Sequence, residues 1–274
     1  MNIQEALEIV SQTHTGMVRS HNEDSVACEA SCGLVVLADG MGGYNAGEVA
    51  SGIAVSVLSA GVRQQLQNVR PEEKDLGGEE VGVEVLRDTM HQANTAIYSA
   101  ALSQPQYAGM GTTVVAGLFY DNRVAVAHVG DSRMYRLRAG QFQAITRDHS
   151  LLQEQIDSGV ISREDARLSR NKNLVTRAVG IDAVVTPEIR VHKVQTGDIY
   201  LLCSDGLNDM VPDEEIGAAL EMLQGNLALA ASQLIELAND NGGRDNVSVI
   251  LIKVNGEFAA SRGWPAKLAS WFRK

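Results

Sequence analysis

Long apolar runs are absent from this sequence, and basic residues are in the minority. No stretch approaches the roughly 18 apolar residues that a membrane-spanning helix needs. Acidic residues number 34 against 23 basic ones, which gives a net charge of −11. Because proteins that bind nucleic acid need a positive surface, this charge argues against nucleic acid as the main partner.

Cysteine is also scarce, with three residues in a chain of 274. An odd number without a regular framework is typical of a reducing compartment. Cys28 and Cys32 form a single C-x3-C pair without the second half of a zinc site, so we interpret them as ordinary thiols. The first ten residues contain glutamates and no basic segment, unlike a signal peptide. We therefore expect a cytoplasmic protein.

The hydrophobic pattern predicts both strands and helices. Longer stretches with apolar residues at helical spacing predict helices near 46–69, 83–102, 212–223 and 227–241. Short turns such as Asp121-Asn122 separate several strands, which favours an α+β fold with antiparallel sheets over a doubly wound parallel sheet. Short runs rich in Val, Ile and Leu predict strands at 33–38, 113–119, 123–129, 134–138, 199–203 and 247–254.

Four aspartates lie at the ends of predicted strands. Asp39, Asp131 and Asp205 each follow a strand, and Asp245 directly precedes the last one. For any one of them alone, a turn is the better interpretation, since Asp-Gly after a strand is a common turn signal. Four carboxylates on one rim would repel one another unless a cation lay between them. Mg²⁺ or Mn²⁺, which prefer oxygen ligands, would meet that need.

A charged segment near the N-terminus adds a second feature. Arg19 is followed by Asn22-Glu23-Asp24. An arginine can hold a phosphate with two parallel hydrogen bonds, and two nearby acids can hold metal-bound water. Taken alone, the segment is better interpreted as a solvated loop.

Eight segments in this order resemble the metal-dependent Ser/Thr phosphatases of the protein phosphatase 2C type, in their bacterial branch. Each segment is weak evidence alone, but together they extend from about Gly16 to Val254. The segments are Arg19-x-x-Asn22-Glu23-Asp24, Asp39-Gly40-Met41-Gly42-Gly43, Gly111-Thr112-Thr113, Gly130-Asp131-Ser132-Arg133, Asp148-His149-Ser150, Thr176-Arg177-Ala178-Val179-Gly180, Ser204-Asp205-Gly206-Leu207 and Gly243-Arg244-Asp245-Asn246-Val247-Ser248.

The resemblance implies an α+β fold with two antiparallel β-sheets packed as a sandwich and flanked by α-helices, in α-β-β-α layers. It implies a metal-dependent phosphatase domain over residues 1–256, with a flap-like segment at about 150–177. Residues 257–274 would form a basic amphipathic C-terminal tail.

The resemblance also implies a set of metal ligands. Asp39 would bridge two Mn²⁺ or Mg²⁺ ions, with the Gly40 carbonyl on the second ion. Asp205 and Asp245 would complete the first ion. Asp131 would bind a third, weaker ion.

The remaining roles concern substrate and water. Glu23 and Asp24 would act on the metals mainly through water, and Arg19 would grip the substrate phosphate. A hydroxide bridging the two metals would attack phosphorus in line. Met41 stands where some relatives carry a histidine and cannot donate a proton, so the proton donor to the leaving group stays open. His21 and His149 are the nearest histidines in sequence, and we favour a structural role for each.

The expected substrates are proteins phosphorylated on serine or threonine, and the chain would be the counterpart of a bacterial Ser/Thr kinase and its targets. Two alternatives stay open. The same site could hydrolyse small phosphate esters, or the chain could be a metal-binding sensor without catalysis. The intact set of acids argues against the sensor.

Two regions depart from the family pattern or lie outside it. Ser169 and Arg170 stand where bacterial members often have His-Pro, which leaves substrate preference open. Basic residues of the flap-like segment would attract acidic peptides or form a solvated loop; they are Arg167, Arg170, Lys172 and Arg177. The tail, Trp264–Lys274, carries both tryptophans and no acid, which suits a membrane surface, a partner groove or a helix folded back on the domain. We favour the folded-back helix.

Overall fold

Two antiparallel sheets form the centre of the computed structural model, which describes residues 2–43, 46–162, 165 and 174–260. The first sheet has the strand order β1 (Leu7–His14), β11 (Val247–Val254), β10 (Ile199–Cys203), β7 (Arg133–Arg138) and β8 (Gln141–Ala144). The second has the order β2 (Asp24–Glu29), β3 (Leu34–Met41), β5 (Val114–Tyr120), β6 (Arg123–Val129) and β9 (Glu188–Lys193), with β4 (Gly111–Thr112) paired to the end of β3.

The two sheets pack face to face through a buried apolar layer. Val35 and Val115 of the second sheet share this layer with Leu202 and Ile250 of the first. Phe119 lies edge-on to Tyr200 across the layer, with 5.4 Å between ring centroids. Because alternate residues of a strand point to opposite faces, each sheet also has an outer apolar face that must be covered.

Helices cover both outer faces. Helices α2 (Ala46–Gln65) and α3 (Val81–Ser103) pack on the second sheet. Helices α6 (Asp213–Leu223) and α7 (Leu227–Asp240) pack on the first. The predicted α-β-β-α sandwich is therefore confirmed. Shorter elements complete the described chain: α1 (Ile3–Ala6), a 3₁₀ turn (Pro105–Tyr107), α4 (Leu151–Asp157) and α5 (Asp205–Asn208).

The packed domain continues beyond residue 256. Phe258 is buried, and its amide donates a hydrogen bond of 2.7 Å to the side chain of Asn122. The amide of Ala260 donates to the Asp121 carboxylate at 2.9 Å. These bonds attach the chain to the β5–β6 turn. The predicted tail contact, Trp264–Lys274, lies outside the described residues. None of the described helices has the length and apolar character needed to cross a bilayer.

Candidate active site

One rim of the sandwich brings together the aspartates that the sequence singles out. Asp39 lies in β3 directly opposite Asp24, the first residue of β2. Asp205 begins α5 immediately after β10. Asp245 precedes β11, which pairs with β10, and Asp131 lies between β6 and β7. Burial and, after it, the charges of the other four aspartates raise the pKa of Asp39, as expected for carboxylates at one rim.

Two of these aspartates are not in the turns that their Asp-Gly sequences suggest. Strand β3 continues through Asp39 and Gly40, because β4 pairs with its last two residues. Asp205 is the first residue of a short helix. The turn interpretation is therefore wrong for both positions, and each carboxylate is held by regular structure.

Burial and mutual repulsion raise the pKa values of the rim carboxylates. Although Asp39 and Asp205 keep some exposure to solvent, desolvation and then their acidic neighbours raise both pKa values well above the usual range. Desolvation raises the pKa of Asp24 to about 6. Desolvation, followed by the charge of Asp148, raises the pKa of Asp131 to about 7. Such a site is stabilised by positive charge.

Divalent metal ions fit the donor set at this rim. Oδ1 of Asp24 and Oδ1 of Asp205 are buried and have no hydrogen-bond partner within the described part of the chain. The available donors are carboxylate and carbonyl oxygens, the ligands that Mg²⁺ and Mn²⁺ prefer. Uncompensated buried carboxylates are costly, so these oxygens need a cation.

Hydroxyl groups orient Asp24 from the neighbouring sheet. The Ser204 hydroxyl donates to Oδ2 of Asp24 at 2.8 Å, and it accepts the amide of Ser248 at 3.0 Å. Ser204 directly precedes Asp205, so the bond links the β10 end of the first sheet to β2 of the second. It leaves the other oxygen of Asp24 directed away from Ser204.

Close backbone packing positions Gly40 and Glu23. A Cβ on Gly40 would collide with the carbonyl group of Gly47 at the start of α2 and would lie 2.7 Å from the Glu23 carbonyl oxygen. That carbonyl accepts the Gly40 amide at 3.1 Å and the Ser51 hydroxyl at 2.6 Å. The Glu23 side chain lies against Gly47. Gly40 and Gly47 are therefore needed because a Cβ at either position would collide with neighbouring atoms, and not because of their φ angles.

Asn246 is a positioning residue that the sequence analysis did not assign. Its side chain is 4% exposed. Oδ1 accepts the Glu23 amide at 2.8 Å, and Nδ2 donates to the carbonyls of Thr15 and His21, each at 2.9 Å. It thus fastens the β1–β2 loop (residues 15–23) to the start of β11. The sequence feature that could have indicated this role is the place of the asparagine, between Asp245 and a buried strand.

Asp131 is held by a tight turn and by hydroxyl contacts. Gly130 has a φ of +108°, and a Cβ there would lie 2.5 Å from Cβ of Thr113. The hydroxyls of Thr113 and Ser132 are 2.7 Å apart. These contacts fix the turn that carries Asp131 to the rim.

Asp209 is a further acidic residue near this rim. It follows Asp205 by one helical turn, and its amide donates to the Asp205 carbonyl at 2.8 Å. Its charge raises the pKa values of Asp131 and Asp205. The spacing of four residues after Asp205 is the signal that could have identified it.

Arg19 lies at the edge of the carboxylate rim. Its guanidinium donates to Oδ2 of Asp245 at 2.6 Å, with side-chain exposures of 51% and 29%. The charges of Glu23 and Asp205 also act on it. The structure therefore brings the predicted phosphate ligand together with the predicted metal ligands.

A separate cluster contains His128, His149 and Glu188. Each of these side chains offers one potential metal-ligand atom, and the three atoms lie within 4.8 Å of one another. The histidine rings are stacked 14° from parallel with centroids 4.7 Å apart, so their in-plane lone pairs do not converge on one ion.

The hydrogen bonds of His149 give it a structural role. Nδ1 accepts the Gly130 amide at 3.2 Å, which places the proton of the neutral ring on Nε2. Its backbone accepts the Thr176 amide at 2.8 Å. Desolvation lowers the pKa of His149 to about 4, and the charge of His128 adds to this effect. His149 thus joins the end of the flap-like segment to the turn before Asp131. This geometry supports the structural role that we favoured and opposes proton donation.

The structure describes part of the flap-like segment. Arg177 is described and exposed. The other predicted residues, Arg167, Ser169, Arg170 and Lys172, lie outside the described ranges.

Comparison with known sequences identifies the family. The model of the protein phosphatase 2C family matches residues 13–237. The serine/threonine phosphatase stp of Listeria monocytogenes is 38% identical over 245 residues, which cover 88% of this chain and 94% of the relative.

Solved structures share the fold. The serine/threonine phosphatase PstP/Ppp of Mycobacterium tuberculosis has a TM-score of 0.82 and 38% identity, over 91% of this chain and 99% of that chain. The catalytic domain of PstP in complex with two manganese ions has a TM-score of 0.79 and 39% identity, over the same shares of 91% and 99%.

The fold and the carboxylate rim define a metal-dependent phosphatase. The chain belongs to the protein phosphatase 2C family. The predicted family is thus confirmed, and with it the prediction of an enzyme.

Proposed function

We propose that this chain hydrolyses phosphoserine and phosphothreonine in other proteins with two Mn²⁺ or Mg²⁺ ions at the carboxylate rim. The observation that carries the proposal is the convergence of five aspartates, with Asp39 repelled by the other four. The two manganese ions in the PstP catalytic domain support this choice of metal. An acidic rim without cations would repel a phosphate, so the metals are needed for substrate binding as well as for chemistry.

The proposed metal ligands are those that the family resemblance implies, and the position of these residues at one rim supports them. Asp39 would bridge the two ions and the Gly40 carbonyl would bind the second. Asp205 and Asp245 would complete the first, and Asp131 would hold a third, weaker ion. When bound, such ions lower the pKa of a coordinated water and offset charge on the phosphoryl oxygens.

Two further acids would contribute through water. Asp24 is oriented by the Ser204 hydroxyl, and Glu23 lies against the start of α2. Their positions beside Asp39 and Gly40 suit the orientation of water rather than direct contact with substrate.

Arg19 would bind the phosphate of the substrate. A guanidinium has five N–H donors, and one of them is used on Asp245. About half of the side chain is exposed, so the remaining donors are accessible to a phosphate that enters from solvent. Arg19 can therefore contact the phosphate while its position beside the metal ligands is kept by Asp245.

The substrates and cellular context are also part of the proposal. The relatives compared above are bacterial serine/threonine phosphatases. We assign this chain the role of reversing a bacterial Ser/Thr kinase, in the cytoplasm. The phosphatase domain covers residues 1–256 and continues in packing to Ala260, with the flap-like segment at about 150–177. The predicted basic tail, residues 257–274, lies outside the described residues from 261 onward.

Phosphate release tests this proposal. Purified protein is incubated with a phosphothreonine peptide and, separately, with p-nitrophenyl phosphate, in Mn²⁺, Mg²⁺ or EDTA. We expect metal-dependent release from the peptide at a higher kcat/KM than from the small ester. Preference for the small ester would favour an esterase. Manganese binding without release from either substrate would favour a sensor.

A further inference from the structure

Two exposed apolar side chains directly precede the phosphate-binding arginine. Met17 is 67% exposed and Val18 is 68% exposed. Single exposed apolar residues are ordinary on a protein surface. These two are adjacent in sequence and stand beside Arg19, on the loop that borders the carboxylate rim.

The backbone of this loop is held in place, so the exposure of Met17 and Val18 is built into the fold. The amide of Met17 donates to the carbonyl of Gly243 at 2.7 Å. The amide of Gly16 donates to Nδ1 of His14 at 2.9 Å, and Asn246 holds the carbonyl of Thr15. A loop fastened at three successive residues presents its side chains in a defined arrangement.

The apolar surface is continuous with the site. A Cβ on Gly243 would lie 2.7 Å from Cγ of Met17, so the Met17 side chain rests on the turn that leads to Asp245. A Cβ on Gly16 would collide with the carbonyl oxygen of Asp245. Met17 therefore lies against the turn that leads to Asp245, the residue that accepts a hydrogen bond from Arg19.

We propose that Met17 and Val18 form a docking surface for an apolar side chain adjacent to the phosphorylated residue of the substrate. The inference rests on the proposed hydrolysis of phosphoproteins. Met17 and Val18 directly precede Arg19 and expose their side chains on the same loop, so the substrate side chains nearest to them are those that flank the phosphorylated residue. Methionine and valine offer no charge or hydrogen-bonding group beyond a weak thioether acceptor, which selects an apolar neighbour.

The energetic effect would be moderate and would appear mainly in KM. A few buried methylene groups on an open surface correspond to about a three- to tenfold preference. A contact remote from the reacting phosphate stabilises bound substrate and transition state alike, so kcat changes little.

Paired phosphothreonine peptides test the docking surface. The peptides are identical except that the residues flanking phosphothreonine are leucine in one and serine in the other. We compare wild type with Met17→Ser, Val18→Ser and Met17→Leu. Met222→Ser, in helix α6, is the matched control because Met222 is 81% exposed.

The ratio of kcat/KM values for the two peptides is the readout. Wild type should prefer the leucine peptide by about three- to tenfold. Met17→Ser and Val18→Ser should reduce this preference, Met17→Leu should retain it, and Met222→Ser should match wild type. The ratio is compared because a loss of activity that affects both peptides equally does not change it and would not support the docking surface. Equal ratios in wild type and both serine variants would overturn the inference. Absence of hydrolysis of both peptides by wild type would instead reject the proposed function.

Discussion

The guanidinium of Arg19 donates a hydrogen bond of 2.6 Å to Oδ2 of Asp245. The sequence predicts one of these residues as a phosphate ligand and the other as a metal ligand. Their contact means that Arg19 and a bound cation both act on the charge of Asp245. Because the pair is partly exposed, it contributes little to stability, about 1 kcal/mol or less.

Replacement of Arg19 by alanine should separate phosphate binding from metal binding. A charge-assisted hydrogen bond contributes about 1.5–3 kcal/mol, so kcat/KM on a phosphothreonine peptide should fall by roughly 10- to 100-fold. Manganese affinity should stay the same or rise by up to about fivefold, since Asp245 loses a competing cation. Steady-state kinetics and Mn²⁺ titration measure the two effects. A large loss of manganese affinity would contradict the assigned role.

Asn246→Ala should weaken both the fold and the metal site. The substitution removes three hydrogen bonds from a buried side chain, at about 1 kcal/mol each, so unfolding free energy should fall by about 2–4 kcal/mol. Urea unfolding measures this loss. Asn241→Ala is the control, because Asn241 is exposed and makes one bond, to the Met210 carbonyl. An equal loss of unfolding free energy in Asn246→Ala and Asn241→Ala would contradict the positioning role of Asn246.

Gly40→Ala should destabilise the rim through steric overlap. The new methyl group would meet the carbonyl groups of Gly47 and Glu23, and overpacking of this kind costs about 1–3 kcal/mol. Gly52→Ala, in helix α2, is the control because its methyl group would meet no atom within 4 Å. It should stabilise the protein by about 0.5–1 kcal/mol. A neutral or stabilising Gly40→Ala in urea unfolding would refute the close packing of β3 against α2.

The stability of the protein in a chelator should depend on pH through Asp131. Its pKa is raised to about 7 in the folded state, first by burial and then by Asp148. A carboxyl group with a raised pKa binds its proton more tightly when folded, so its contribution is full below about pH 4 and is lost as pH rises to about 7. Wild type should therefore lose stability relative to Asp131→Asn between about pH 4 and about pH 7.

Urea unfolding of both proteins in EDTA tests this pH dependence. The pKa of His149 is lowered to about 4, so its protonation opposes folding as pH falls, but this effect is common to both proteins and cancels in the difference. A stability difference that does not change with pH would contradict the burial of Asp131.

Apolar pattern was sufficient to predict the central strands and the long helices, since strands such as β5 and β10 are buried throughout. It missed β1, β2, β8 and β9, whose residues are largely exposed or only partly buried, and the two-residue β4, so no apolar run marks these strands. The family resemblance supplied the packing of the two sheets, which periodicity within one segment does not contain.

Contacts between distant residues explain what sequence reasoning missed at the site. The end of β3 depends on its pairing with β4, about 70 residues later, so Asp39-Gly40 resembles a turn until that partner is known. Asn246 bonds to residues more than 200 positions away. The order of motifs predicted which carboxylates matter, whereas their supporting hydrogen bonds required the fold.

Phosphate release by Asp205→Asn tests the central claim most directly. Asparagine keeps the shape of the side chain but removes the charge that binds a cation, and Asp240→Asn, at the exposed end of α7, is the matched control. With a phosphothreonine peptide and Mn²⁺, we expect Asp205→Asn to lose about a thousandfold or more in rate, since metal chemistry accounts for several kcal/mol of transition-state stabilisation. Asp240→Asn should match wild type. A wild-type rate in Asp205→Asn would contradict the metal site on which this account depends.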